Sequence, residues 1–245
     1  MNQVIYTVTE NICIAKKTYK IILSGDTSEI KAPGQFVNIK LDGFFLRRPI
    51  SVCDAENNNL TLIFKAVGEG TGQMSRIQPG EKLDVLTGLG NGYDIEPSGD
   101  SPLLIGGGVG IPPLYMLCKR LLEKGVKPSV ILGFGTDEEV FYENEFKKLG
   151  ASVYLTTADG SRGQKGFVTD VMKNLHYTYF YACGPEPMFR AIDRIAVSGG
   201  QYSFEERMGC GFGACMGCSC KTLAGNKRIC REGPVMRREE IIWEH

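Results

Sequence analysis

Near residue 100 the hydrophobic pattern of the chain changes period, so one architecture cannot serve both halves. Before that point the apolar residues come in short runs: VIYTVTENICIA, YKIILS, QFVNIKL, ISVCDA, NLTLIFKAV and KLDVLTGLG. These runs are rich in Val, Ile, Thr and aromatics, and turn signals such as APGQ and QPGE break them. Regularly spaced strands of this kind predict a small antiparallel barrel or sandwich over residues 1–97, with QMSRI as one helical turn. From Ser101 the chain reads strand, glycine turn, amphipathic helix in SPLLIGGGVGIPPLYMLCKRLLEKG. The alternation continues through PSVILGFG and EEVFYENEFKKLG, SVYLTTA and GFVTDVMKNL, and YTYFYACGP and EPMFRAIDRIAVSGG. Such alternation predicts a parallel sheet covered on both faces over residues 98–199. Residues 200–245 are rich in Cys and Gly and read as a separate small module. The expected fold class is therefore α+β and multidomain: an N-terminal antiparallel β-barrel, a central parallel α/β domain and a small C-terminal Cys-rich module.

The formal net charge is zero, which argues against a general nucleic-acid binder with a basic face. No stretch approaches the apolar length of a membrane span. The start, MNQVIYTVTENICIAKK, lacks the basic and apolar regions of a secretory signal. A soluble, cytoplasmic protein is expected. In that compartment nine cysteines point to metal or redox chemistry rather than to disulfides. Cys13, Cys53, Cys118 and Cys183 are scattered, as small buried hydrophobes usually are. The other five crowd between residues 210 and 230.

Gly106, Gly107, Gly108 and Gly110 lie where strand gives way to helix, in GGGVGIPP. Helix N-termini hold phosphate, and glycines let a pyrophosphate approach the backbone. A third glycine of the dinucleotide fingerprint is missing, and a plain tight turn fits equally well. Cys183-Gly184-Pro185 ends the fourth strand and faces the same crevice, since ligands sit beyond the carboxyl ends of parallel strands. The acids after the second strand, Asp137, Glu138 and Glu139, would accept a ribose hydroxyl and repel an extra phosphate, favouring NAD over NADP. They would equally complement a helix dipole. In the first half, adjacent Arg47 and Arg48 on a strand point to opposite faces, so one can reach an anion. Arg48, Ser51, Gly70 and Thr71 offer donors suited to a pyrophosphate, and surface arginines on an edge strand are the alternative.

Cys210, Cys215, Cys218 and Cys230 are spaced C-x4-C-x2-C-x11-C. The first three match the plant-type [2Fe–2S] spacing with a distal fourth ligand. Glycines 209, 211, 213 and 217 let the loop wrap a cluster. Structural zinc is the main alternative. Cys220 stands outside the pattern, or substitutes for Cys218.

A barrel carrying R-P-x-S followed by GGGVGxPP and CGP resembles the ferredoxin-reductase superfamily. That resemblance implies FAD on Arg48, Pro49, Ile50, Ser51, Ile63, Phe64, Lys65, Gly70 and Thr71. It implies NAD on the α/β domain, with Cys183 close to the nicotinamide as a catalytic residue. The order of the modules, GGGVGIPPL, TTADGSRGQKGFVTDV, EERMGCGFGAC and the distal CREGPV are similar, over essentially the whole chain, to the electron-transfer subunits of dihydroorotate dehydrogenase B. Membership implies a partner subunit that binds FMN in a (β/α)8 barrel and oxidises dihydroorotate to orotate in pyrimidine biosynthesis, in a heterotetramer of two copies of each chain. Electrons would pass from FMN through the cluster and FAD to NAD+. Met208, Phe212 and Met216 near the cluster would then form a docking face, or merely cover it. Two rivals keep their place at this stage. One is a flavin/iron–sulfur subunit serving a sulfide dehydrogenase, a hydrogenase or a ferredoxin:NAD(P) oxidoreductase. The other is a non-redox, zinc-stabilised protein-binding module.

Overall fold

The computed structural model describes residues 1–243. Six strands form a closed barrel in the order β1-β2-β5-β4-β3-β6: β1 (Asn2–Ala15), β2 (Thr18–Ser24), β3 (Phe36–Ile39), β4 (Arg48–Glu56), β5 (Asn59–Lys65) and β6 (Lys82–Leu89). Closure depends on the length of β1. Its first half pairs antiparallel with β6, from Asn2 to Thr7, and its second half with β2, from Thr7 to Ala15. A sheet closed on itself leaves no open edge. Alternate residues point inward, and Tyr6, Val8, Ile21, Leu23, Val37, Ile39, Val52, Leu60, Leu62 and Val85 fill the interior.

A seven-stranded sheet follows: β7 (Pro102–Gly107), β8 (Ser129–Phe134), β9 (Ser152–Thr157), β10 (Gln164–Lys165), β11 (Tyr179–Cys183), β12 (Gly200–Ser203) and, after a separate hairpin, β15 (Val235–Arg237). The spatial order is β10-β9-β8-β7-β11-β12-β15, parallel except for β15. The central strands are continuous apolar runs because both of their faces are covered. Helices α2 (Pro112–Glu123), α3 (Glu143–Leu149), α4 (Val168–Met172) and α5 (Glu186–Ile195) provide the cover; α1 (Glu69–Met74) belongs to the barrel segment. The hairpin is β13 (Ser219–Thr222) with β14 (Gly225–Arg228).

Three local expectations change. The sheet reaches into the Cys-rich tail, because β12 and β15 lie at either end of the cysteine segment and add two strands beside β11. The cysteine loop is therefore anchored in the sheet at both ends, and the last two residues of the tail lie outside the described residues. The helix expected over EEVFYENEFKKLG forms only at Glu143–Leu149. Phe141 is buried against Phe134, 5.4 Å between ring centroids, and Tyr142 takes a left-handed φ of 63° beside Cys53, so packing overrides the helical period. The short helix of the barrel segment starts at Glu69 rather than in QMSRI. There the Thr71 hydroxyl accepts the Val67 and Gly68 N–H groups and caps the turn.

The barrel is docked on the α/β layer by half-buried ion pairs. Lys119 on α2 bridges Asp54 and Glu56 of β4, 2.8 Å from each. Lys65 at the end of β5 meets Glu139 at 2.6 Å. The tail is tied to the barrel through Asn91, whose amide bonds the carbonyls of Glu232 and Val235.

Candidate functional site

The strand order places a topological switch between β7 and β11, because the chain leaves β7 toward β8 on one side and reaches β11 on the other. Gly106 is the register partner of Cys183, so the glycine turn and the Cys-Gly-Pro turn stand side by side. A Cβ on Gly110 would lie 2.3 Å from the Cys183 carbonyl oxygen, so only glycine lets the start of α2 come this close to β11. Gly108 takes a φ of 51° with open space around it. Cys183 is buried; burial and then the charge of Glu205 push its thiol up, against hydrogen bonds to Ser203 and Tyr93. It is a neutral thiol at physiological pH.

The acids after β8 are already engaged. Asp137 pairs with Arg162 at 3.1 Å, Glu138 with Lys16 at 2.6 Å, and Glu139 with Lys65 and the Gly135 N–H. The Lys65 ammonium is the main cause holding the Glu139 carboxyl below its ordinary range.

The expected flavin residues converge on a cleft of ≈ 270 Å³. Pro49, Ile50, Ser51, Ile63, Phe64, Lys65 and Thr71 line it from the barrel. Val109 closes it from the glycine turn, and Phe204, Glu205, Glu206, Met208 and Pro234 close it from the segments around the cysteines. Glu205 is reached by solvent in the open cleft, yet protein walls surround it and the lost hydration raises its carboxyl. Arg48 stands just outside, its guanidinium 4.4 Å from the Phe44 ring centroid and bonded to the Leu46 carbonyl. Gly70 presses on it: a Cβ there would fall 2.2 Å from Arg48 Nε. Arg47 precedes β4, faces away from the cleft and makes a two-pronged pair with Asp84, both bonds 3.0 Å. A larger groove, ≈ 390 Å³, runs between β1 and residues 140–145 and contains none of the expected site residues. Its Arg162 is committed to Asp137 and Glu143.

The four patterned cysteines fall into two pairs. Cys218 and Cys230 are buried with their sulfurs 3.2 Å apart, well beyond a disulfide bond. Cys210 and Cys215 lie nearer the surface and are linked through the loop backbone: the Cys210 N–H points at Cys215 Sγ (3.4 Å), and the Ala214 and Cys215 N–H groups point at Cys210 Sγ (3.2 and 3.4 Å). Among the described residues no group of three or more metal-ligating side chains surrounds one common centre. Two separate pairs of soft donors suit a centre with two metal ions, and N–H groups aimed at sulfur suit thiolates. Burial alone would raise the Cys210 thiol; the N–H groups of Phe212, Cys215 and Ala214 outweigh it and hold it down at about 6. Burial and the neighbouring Cys218 push Cys230 up to about 12. Arg228 bonds the Gly213 carbonyl at 2.7 Å and pairs with Glu232, pinning the loop. Cys220 lies on β13, packed against the apolar cluster that holds Cys218 and Cys230, with its sulfur 4.0 Å from the Met236 thioether. Of the scattered thiols Cys53, Cys118 and Cys183 are buried and Cys13 is exposed. Phe212 and Met216 stay exposed on the loop, whereas Met208 turns into the cleft.

Several cleft residues were not anticipated. Val109 was hidden as the variable position of GGGVG. Phe204 and Glu205 follow β12, a strand that nothing in the Cys- and Gly-rich tail sets apart. Phe36 carries no motif, and Pro234 belongs to the distal CREGPV, which marks no contact with the cleft.

Comparison with known proteins bears on this arrangement. Residues 205–242 match the family described as the iron–sulfur cluster binding domain of dihydroorotate dehydrogenase B, and residues 104–194 match the oxidoreductase NAD-binding domain. The dihydroorotate dehydrogenase B (NAD(+)) electron transfer subunit of Fusobacterium nucleatum is 45% identical over 97% of this chain and 98% of its own length. That of a Geobacillus species is 44% identical over 99% of each. Among solved structures, that of the NADH-dependent reduced ferredoxin-NADP oxidoreductase superposes with a TM-score of 0.88 at 31% identity, covering 97% of this chain and 90% of the other. A ferredoxin NADP+ reductase from Neisseria gonorrhoeae shares the fold, with a TM-score of 0.68 at 18% identity over 80% and 92%.

Proposed function

The chain belongs to the family of dihydroorotate dehydrogenase B (NAD(+)) electron transfer subunits, and on that premise we propose that it carries electrons between NAD+ and a partner catalytic subunit by way of FAD and a [2Fe–2S] cluster. One observation carries this reading: the barrel strands with the flavin residues, the glycine turn and the cysteine segment all wall the same cleft. Nicotinamide exchanges electrons in pairs, an iron–sulfur cluster exchanges them singly, and a flavin between them does both.

The residues of the chain supply position. Arg48 and Ser51 hold the flavin pyrophosphate, and Pro49, Ile50, Ile63, Phe64, Lys65, Gly70 and Thr71 seat the rest. Gly106, Gly107, Gly108 and Gly110 take the NAD pyrophosphate, with Gly184 and Pro185 opposite. Cys183 presents a neutral, buried thiol toward the nicotinamide. Cys210 with Cys215, and Cys218 with Cys230, hold one iron each. Residues 1–97, 98–199 and 200–245 serve flavin, nicotinamide and cluster in turn, although β12 and β15 of the last are built into the sheet of the second. The partner is an FMN-bearing subunit that oxidises dihydroorotate, in a cytoplasmic heterotetramer of two copies of each chain, docked beside exposed Phe212 and Met216. Among the described residues no helix is long and apolar enough to cross a membrane.

The chain alone is expected to reduce artificial dyes with NADH but not orotate, and added partner subunit restores orotate reduction. Orotate reduction by the chain alone, or no dye reduction with flavin bound, contradicts the proposal. In the same assay Cys183→Ala slows flavin reduction by NADH roughly tenfold or more, through a misplaced nicotinamide, with iron content unchanged. An unaltered rate removes Cys183 from that site.

A further inference from the structure

Strand β3 turns Val37 and Ile39 into the barrel and Phe36 and Asn38 outward. That outward face is where the barrel meets the cysteine segment. Phe36 lines the flavin cleft and also packs in one apolar cluster with Cys218 and Cys230. Two residues on, Asn38 touches the other cysteine pair: its Nδ2 donates to the Cys210 carbonyl at 3.3 Å. The loop backbone lies directly on this amide, since a Cβ on Gly211, at a φ of 78°, would fall 2.4 Å from Asn38 Nδ2. Asn38 is 1% exposed, and its Oδ1 is buried with no hydrogen-bond partner among the described residues. A buried acceptor left unpaired is a penalty that an apolar residue of similar size would avoid. The Arg47 guanidinium bonds the Asn38 carbonyl at 3.4 Å and Asp84, holding the strand from behind.

We propose that Asn38 is a positioning residue for the cluster: its amide fixes the Cys210–Cys215 half of the loop against the strand that also walls the flavin cleft. The inference rests on the cofactor reading above. Its chemistry is limited to one hydrogen bond to a ligand's carbonyl, which sets where the Cys210 sulfur stands and the distance an electron crosses. The penalty carried by Oδ1 separates this role from a purely structural one. Asn38→Leu removes donor and orphan acceptor together, so the barrel should lose no stability, while the cluster loop loses its tether.

The test uses the full chain with both cofactors bound. In Asn38→Leu, and in Asn38→Asp, which keeps the size but loses the amide donor, three readings are expected to change. The electron paramagnetic resonance line shape of the reduced cluster alters, iron release to a chelator speeds up several-fold, and cluster reduction by NADH slows at least threefold. Flavin reduction by NADH and the melting temperature of Asn38→Leu stay at wild-type values. Wild-type line shape, iron release and cluster reduction in both variants overturn the inference. So does loss of flavin and cluster together with barrel stability, which is the mark of a structural residue. If Asn38→Leu does not fold, Asn38→Asp decides by the same readings. Wild-type protein with no cluster signal would sink the cofactor reading itself, a failure distinct from unchanged variants of a cluster-bearing protein.

Discussion

A Cys218→Ser chain is expected to keep its flavin and its NADH-dependent dye reduction while losing its iron, and with it at least about a hundredfold of electron delivery to the partner, since losing even an outer-shell partner of a metal ligand costs about 10–100-fold. Cys218 is 2% exposed, its sulfur stands 3.2 Å from Cys230 Sγ, and it receives the Cys230 N–H at 3.5 Å. An alcohol oxygen is a hard, weakly acidic donor where a soft thiolate is needed. The neighbouring thiol does not rescue the site. Cys220 sits on β13, whose pairing to Lys227 fixes its place, and its sulfur is turned to Met236. Iron and acid-labile sulfide analysis with the resonance spectrum checks this. Full iron retention in Cys218→Ser, with loss in Cys220→Ser, would transfer the ligand role to Cys220.

Arg48→Ala should release the flavin. A guanidinium bonded to a pyrophosphate contributes about 1.5–3 kcal/mol, so flavin affinity should fall roughly ten- to hundredfold. The arginine is held ready by the Phe44 ring beneath it and by the Leu46 carbonyl. Gly70→Ala should weaken flavin in the same direction while removing no donor, because the new methyl would fall 2.2 Å from Arg48 Nε and displace the guanidinium. Arg47→Ala is the contrasting change: it breaks the pair with Asp84 and should lower barrel stability with flavin affinity unchanged. Equilibrium dialysis of FAD against the three variants makes the comparison. Equal affinity in Arg48→Ala and wild type would remove the pyrophosphate from this arginine.

The barrel and the sheet were legible because burial imposes a period on the sequence. Alternation in KLDVLTGL and unbroken apolar runs in SPLLIGG and PSVILGF state which faces are covered. The cysteine pattern was legible because four soft donors crowd into one segment, but nothing in the spacing says that Cys218 pairs with Cys230, twelve residues on. What escaped was set by distant partners. Gly200–Ser203 is a strand because β11 and β15 pair with it, and nothing in GQYS marks that. Val140–Tyr142 leaves the helical path because Phe134 of β8 packs against Phe141 and Cys53 of the barrel meets Tyr142. Asp137, Glu138 and Glu139 read as ribose acceptors, yet Arg162, Lys16 and Lys65 come from other elements to pair with them. Asn38 carries no motif; its meaning appears only when the cluster loop is laid over it.

The central claim is that a flavin seated between nicotinamide and a two-iron centre converts paired electrons into single ones. It is tested most directly on the chain purified without oxygen, by its visible absorption together with flavin, iron and sulfide assays. The account predicts a coloured protein with about one FAD, two irons and two sulfides per chain, bleached by NADH. A colourless protein carrying zinc, or carrying neither flavin nor sulfide, would contradict it.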